Sequence, residues 1–228
     1  MKLIIFDLDQ TLVNFIVAHD KTTQTLFKQF FGIDARLTEI DFAGRSLIEN
    51  FVQLGKRRGI PEEKIRDNSK QLLKQYDQNF VKNIPANASE YVLPGVKRLL
   101  DELSKTDNLI VLYTGDSPDV ARAMLSATNL QKYFRFYQYG TEVKTRADMV
   151  KIATDKAGKM TGNKFEKRDI VIIGDSIRDV ECGKQFGALT IAVTTGFHTR
   201  EELLKAGADF IFKDLTDYRA ILAAIMPS

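Results

Sequence analysis

The stretch Leu3-Ile4-Ile5-Phe6-Asp7-Leu8-Asp9-Gln10-Thr11-Leu12 decides the reading of this chain, because four apolar residues run straight into two carboxylates one residue apart. Leu3 to Phe6 has the continuous apolar pattern of a strand covered on both faces, and in open α/β sheets ligands sit just beyond the carboxyl ends of such strands. Asp7 and Asp9 are therefore expected where a ligand lies. Two anionic side chains so close repel each other unless a proton or cation lies between them, which points to a hard divalent ion such as Mg²⁺. A strand-end turn, where aspartate is common, is the alternative for the pair taken by itself, and the rest of the chain decides between them.

Two further apolar runs end in polar groups. Leu109-Ile110-Val111-Leu112-Tyr113 leads into Thr114-Gly115-Asp116, with Ser117-Pro118 placed to cap and open a helix. Ile170-Val171-Ile172-Ile173 leads into Gly174-Asp175-Ser176, with Asp179 three residues on. Between them, the strand-like Phe134-Arg135-Phe136-Tyr137-Gln138-Tyr139 and a Gly140-Thr141 loop precede Lys144, a cation suited to a phosphate. Three predicted strands thus present polar groups at one sheet edge.

The order Asp7-Leu8-Asp9-Gln10-Thr11, Thr114, Lys144 and Gly174-Asp175-Ser176-Ile177-Arg178-Asp179 resembles the four motifs of the haloacid dehalogenase superfamily. Leu93-Pro94-Gly95-Val96 and the run from Gly174 through Gly183, Gly187 and Thr195-Gly196 are similar to its phosphoglycolate-phosphatase-like branch. The resemblance implies a Rossmann-like parallel sheet formed by residues 1–14 and 90–228, with a helical cap of the first cap class inserted at 15–89. It makes Asp7 a nucleophile that forms an aspartyl-phosphate, and Asp9 the acid and then the base. Thr114, Gly115 and Lys144 would hold the phosphoryl group. Mg²⁺ would bind the Asp7 carboxylate, the Asp9 backbone carbonyl and Asp175, with Asp179 as a further ligand or a support for one. The implied activity is Mg²⁺-dependent hydrolysis of a small phosphate monoester, a phosphoglycolate, sugar phosphate or nucleotide. Asp9 argues for phosphoryl chemistry, since the dehalogenases of this superfamily lack a carboxylate there. The alternatives are a phosphomutase of the β-phosphoglucomutase kind, against which Gly174-Asp175 and the later Asp179 weigh, and a non-catalytic binding protein on the same fold.

Three positions depart from the branch: Gln10 stands where glycine is usual, Asn14 replaces a frequent aspartate, and Lys144-Thr145-Arg146 replaces Lys-Pro-x-Pro. Gln10 either contacts substrate or faces solvent, with solvent favoured. In Phe42-Ala43-Gly44-Arg45-Ser46, Arg45 either reaches the substrate beyond its phosphate or points into water while Ser46 caps a helix. His19, at the entry to the cap, is a proton relay or a packing residue. Arg178 and Lys151 read as exposed helix residues, Lys56-Arg57-Arg58 as a solvated helix end, and His198 carries no assigned chemistry.

Length and composition agree with a core plus a smaller unit: 228 residues, 44% hydrophobic and 28% charged, ordinary for a globular chain. Stripes at Leu26, Phe27, Phe30, Phe31, at Leu47, Ile48, Phe51, Val52, and at Ile65, Leu72, Leu73, Tyr76, Phe80 predict helices, with Gly32 a stop and Pro61 at a first turn. Beyond them helices and strands alternate, as a parallel sheet requires; Lys156 to Arg168 reads as an exposed loop. The net charge of +3 is mild, short of the basic surface of a nucleic-acid binder. The lone Cys182 reads as a small core residue. With neither a signal-peptide pattern nor a long apolar segment, a cytoplasmic location with no membrane partner is expected. The expected partner is a small phosphorylated metabolite, and the sequence leaves oligomeric state open.

Overall fold

A computed structural model describes residues 1–143 and 145–226. Its centre is β1 (Leu3–Phe6), all four residues fully buried, as their unbroken apolar character requires. It lies inside a six-stranded sheet with β2 (Leu109–Thr114), β3 (Tyr137–Tyr139), β4 (Ile170–Gly174), β5 (Leu189–Val193) and β6 (Phe210–Phe212). The order is β3-β2-β1-β4-β5-β6 and every pairing is parallel. Phe6 stands opposite both Leu112 and Ile173. The residues that follow these three strands therefore emerge side by side, at the point where the strand order switches from one side of β1 to the other.

Between β1 and β2 the chain is helical: α1 (Ile16–Phe31), α2 (Leu47–Arg57), α3 (Glu62–Asp67), α4 (Ser69–Asn83) and α5 (Val96–Leu103). Gly32 ends α1 at φ 68°, a conformation that glycine adopts without a Cβ clash. Ser46 caps α2 by accepting the Glu49 N–H at 3.4 Å. The third predicted stripe forms two helices rather than one. The chain breaks at Asn68, whose side chain donates to the Lys64 carbonyl at 2.8 Å, and Pro61 precedes α3 as its cap. The stripes meet through aromatic contacts, Phe27 with Phe51 at 5.9 Å and Phe51 with Tyr76 at 5.5 Å between ring centroids.

Beyond β2 come α6 (Pro118–Thr128), α7 (Arg146–Thr161), α8 (Ile177–Phe186), α9 (Arg200–Lys205) and α10 (Tyr218–Ile225). Helices α5, α6 and α10 pack on the face of the sheet carrying Ile4, Phe6, Leu112 and Ile173. Helices α7 and α8 cover the opposite face, with Leu3, Ile5, Val111 and Ile172. Cys182 is buried there, as a core residue. Two expectations need correction. Helix α7 runs through the start of the presumed loop, to Thr161, because Ala153 and Ala157 continue its buried face until Gly162 stops it at φ 72°. Strand β3 is confined to residues 137–139: the backbone of Arg135 and Phe136 still bonds to β2, but Phe134 and Phe136 enter the cores on opposite faces, which breaks the alternation of a strand. Among the described residues no helix is long and apolar enough to cross a membrane.

Candidate active site

Five of the residues singled out in the sequence converge at the carboxyl edge of the sheet. Asp7 continues β1, its N–H donating to the Ile173 carbonyl at 2.9 Å, while Thr114 ends β2 and Asp175 follows β4. Asp7, Thr114 and Asp175 line one cavity together with Asp9. Asp179, in the first turn of α8, offers an oxygen within 4.8 Å of ones from Asp7 and Asp175. Thr11 donates to Asp175 Oδ1 at 3.0 Å, and Thr114 Oγ1 receives the Asp116 N–H at 3.2 Å.

Burial gives these carboxylates different characters. It pushes Asp7 well above the usual carboxylate range, with Arg146 pulling the other way. Asp175 is raised too, by burial and then by the charges of Asp7 and Asp179. For Asp179 burial is outweighed: Arg146, the Ser176 side chain and Tyr113 favour its ionised form and hold it below the usual range. Its Oδ2 receives the Ser176 N–H at 2.9 Å and the Ser176 hydroxyl at 2.5 Å, and its Oδ1 receives the Tyr113 hydroxyl.

The cation among these acids is Arg146, which the sequence reading passed over. Its Nη2 bonds both Asp7 Oδ1 and Asp179 Oδ1, its Nη1 donates to the Gly44 carbonyl at 3.2 Å, and its guanidinium lies 4.2 Å from the centre of the Tyr113 ring. The signal was present in Lys144-Thr145-Arg146: a second cation at the first position of a helix that Thr145 and Asp148 cap reciprocally. Lys144 itself lies outside the described residues.

Asp9 belongs to a second group. His19, on α1 and only 4% exposed, places Nε2 3.3 Å from Asp9 Oδ2, and its Nδ1 meets the Tyr76 hydroxyl at 2.6 Å. Burial alone would depress the imidazole, but the charge of Asp9, then those of Asp116 and Asp20, raise it to about 9. In turn burial resists ionising Asp9, yet His19 outweighs it and keeps that carboxyl below the usual range. Asp116 is pushed up by burial and by the neighbouring Asp9. The residues Thr114-Gly115-Asp116 pointed to this third acid, although the sequence reading gave it no role.

The segment 41–46 closes the cavity from the side of the helices. Gly115 permits it to approach: a Cβ there would lie 2.1 Å from the Arg45 carbonyl oxygen, and the Leu47 N–H donates to the Gly115 carbonyl at 3.3 Å. Arg178 donates to the Ala43 carbonyl at 2.6 Å and to Asp41 Oδ2 at 2.5 Å, so it is a tether between segments rather than a solvated residue. His198 Nε2 comes within 3.7 Å of Asp41 Oδ1, and Phe42 meets Phe197 edge-on at 4.8 Å. Arg45 lines the cavity, but its Nε donates to the Asp41 carbonyl at 2.9 Å. Gln10 does not face solvent as favoured. It is 4% exposed, lines the cavity and donates to Asn14 at 3.0 Å, on a backbone with φ 60° where a side chain is strained.

The donor set of Asp7, Asp175 and Asp179 suits a hard cation. It is all oxygen, and Asp175 Oδ2 is buried without a hydrogen-bond partner. Gly196 keeps that oxygen clear, since a Cβ there would sit 1.8 Å from it. The other cluster, Asp9, His19 and Asp116, already holds a cation of its own, the His19 imidazolium facing Asp9.

The model of the family of haloacid dehalogenase-like hydrolases matches residues 4–193. A phosphoglycolate phosphatase of Synechococcus elongatus is 25% identical over 135 residues, 59% of this chain and 61% of its own length. The pyrophosphatase PpaX of Listeria monocytogenes is 25% identical over 221 residues, 96% of this chain and 95% of its own. A predicted phosphatase from Clostridium acetobutylicum has the same fold, with a TM-score of 0.78 at 22% identity over 97% of this chain and 98% of that one.

Proposed function

Since the chain belongs to the haloacid dehalogenase-like hydrolase family, we propose that it is a Mg²⁺-dependent phosphatase hydrolysing a small phosphate monoester through an aspartyl-phosphate on Asp7. The observation that carries the reading is the division of labour between neighbouring carboxylates: Asp7 lies among Arg146, Asp175 and Asp179, and Asp9 is joined to a protonated histidine. This contrast supports a reading in which one acid attacks while the other manages a proton.

In the first half-reaction an Asp7 carboxylate oxygen bonds to phosphorus as the ester P–O bond breaks. The leaving oxygen takes a proton from Asp9, which draws on the proton held at His19. In the second half, Asp9 removes a proton from water, the water oxygen attacks phosphorus, and phosphate and the Asp7 carboxylate are regenerated. Thr114 and the Gly115 backbone would orient the phosphoryl oxygens, and Arg146 would offset their growing charge. Lys144 is assigned the same task on the resemblance alone. Mg²⁺ held by Asp7, Asp175 and Asp179, with the Asp9 carbonyl, would neutralise charge between nucleophile and phosphate. Residues 15–89 would act as the cap, with the 41–46 segment excluding bulk water during turnover.

The test is phosphate release from a panel of monoesters, with Mg²⁺ or chelator, by the wild type and by Asp7→Asn. Metal-dependent release that vanishes in the variant supports the mechanism. Release that survives Asp7→Asn refutes it.

A further inference from the structure

We infer that Asn50 reads the leaving group, and that the site selects phosphate esters of small neutral polyhydroxy alcohols over esters that carry a second anion. The inference rests on the phosphatase reading and names its substrate class.

Asn50 lies on α2, is 4% exposed and lines the same cavity as Asp7 and Asp9. Its backbone N–H is used within the first turn of α2, donating to Ser46 O at 3.0 Å, but its side-chain Oδ1 is buried with no hydrogen-bond partner. A buried acceptor left unmade is costly, so this carboxamide is completed by something that enters the cavity. An alcohol hydroxyl both donates and accepts, and satisfies either end of the amide. A carboxylate or phosphate only accepts, and leaves Oδ1 orphaned.

Charge points the same way. Among the described residues the cations lining the cavity are His19, Arg45 and Arg146, and each is already engaged. His19 faces Asp9, Arg45 is drawn to Asp41 with Nη2 3.5 Å from its carboxylate, and Arg146 bridges Asp7 and Asp179. A second anion on the leaving group would therefore lie beside Asp9 and Asp116 with no unpaired cation among the described residues to meet it. Ile16, Leu37 and Leu47 also line the cavity and suit a short carbon chain. The cavity is small, about 60 Å³, and suits a short leaving group.

The experiment compares kcat/KM for methyl phosphate, glycerol 1-phosphate, phosphoglycolate and inorganic pyrophosphate, with Mg²⁺, on the full chain. Glycerol 1-phosphate should exceed phosphoglycolate and pyrophosphate by about tenfold or more, equivalent to about 1.4 kcal/mol. In Asn50→Leu, which keeps the branched shape and removes the amide, the ratio of glycerol 1-phosphate to methyl phosphate should fall about tenfold. Asn50→Ser, which puts a hydroxyl able to donate and accept in place of the amide, should restore part of it. Phosphoglycolate or pyrophosphate matching glycerol 1-phosphate in the wild type overturns the inference, as does an unmoved ratio in the variants. If every ester including methyl phosphate is inert, the phosphatase reading fails instead. Calorimetric binding to the wild type then decides the selectivity: glycerol 1-phosphate binding more tightly than phosphoglycolate upholds it, and the reverse order refutes it.

Discussion

Raising the pH should unload the pair between His19 and Asp9 and remove part of the protein's stability. Folded His19 titrates at about 9, against 6.5 for an unperturbed histidine, so between these values the folded chain keeps a proton that the unfolded chain has released. The stabilisation is complete below pH 6.5, declines as pH rises, and is gone above about 9. At about 1.4 kcal/mol per pH unit, that interval amounts to about 3 kcal/mol, a substantial fraction of the ~5–15 kcal/mol that holds a typical domain together. Urea unfolding of the wild type and of His19→Gln, in chelator at a series of pH values from about 6 to 9.5, isolates the effect. The variant loses the packing of the imidazole at every pH, but the gap between the two proteins should narrow by about 3 kcal/mol across the series. A gap that stays constant would show that His19 titrates in the folded chain as it does in the unfolded one, and that its contact with Asp9 is packing alone.

Arg146→Met removes a guanidinium held between two buried carboxylates; the metal-free protein should lose about 3–5 kcal/mol, and added Mg²⁺ should recover part of that loss in a thermal melt. Mg²⁺ at about a hundred times its dissociation constant should stabilise the wild type by about 2.7 kcal/mol, raising Tm by roughly 5–10 °C for a chain of this size, whereas Asp175→Asn should abolish the rise. Gly115→Ala places a methyl 2.1 Å from the Arg45 carbonyl oxygen, so the 41–46 segment must withdraw. KM for the preferred ester should then rise more than KM for methyl phosphate, and equal effects on both would mean the segment does not meet the leaving group.

Most of the sheet was legible because its signals are local. An apolar run long enough for a strand buries itself whatever surrounds it, and the polar residue that ends it falls at the sheet edge by geometry alone. Asp7 and Asp175 were found in this way directly after their strands, and Thr114 as the last residue of its own. The resemblance supplied Asp179, whose place in the first turn of α8 brings it back against Asp7 and Asp175. Residues whose meaning depends on what faces them were not legible. Arg146 looks like any cation in a helical first turn until Asp7 and Asp179 are seen on either side of it. Arg178 passes for a solvated residue until the 41–43 segment folds onto it. For Gln10 solvent was the favoured of two readings, but its backbone is fixed by the turn that carries Asp9, which directs the side chain inward whatever its preference.

The same distinction explains why the chemistry was easier to read than the substrate. On the proposed reading, the phosphoryl side of the cavity is built from strand ends, where residue type and place in the chain together suggest a role. The leaving-group side would then be built from α1, α2 and the segment between them, and there the question is which polar groups remain unpaired after folding. His19 and Asn50 are both polar residues on helices that also carry a buried apolar stripe, and nothing in their neighbours in the chain separates them. In the fold His19 is engaged at both ends, by Asp9 and Tyr76, whereas the carboxamide oxygen of Asn50 has no partner. Selectivity follows from that residue of unmet hydrogen bonding, which a sequence cannot display because each partner that would cancel it comes from a distant part of the chain.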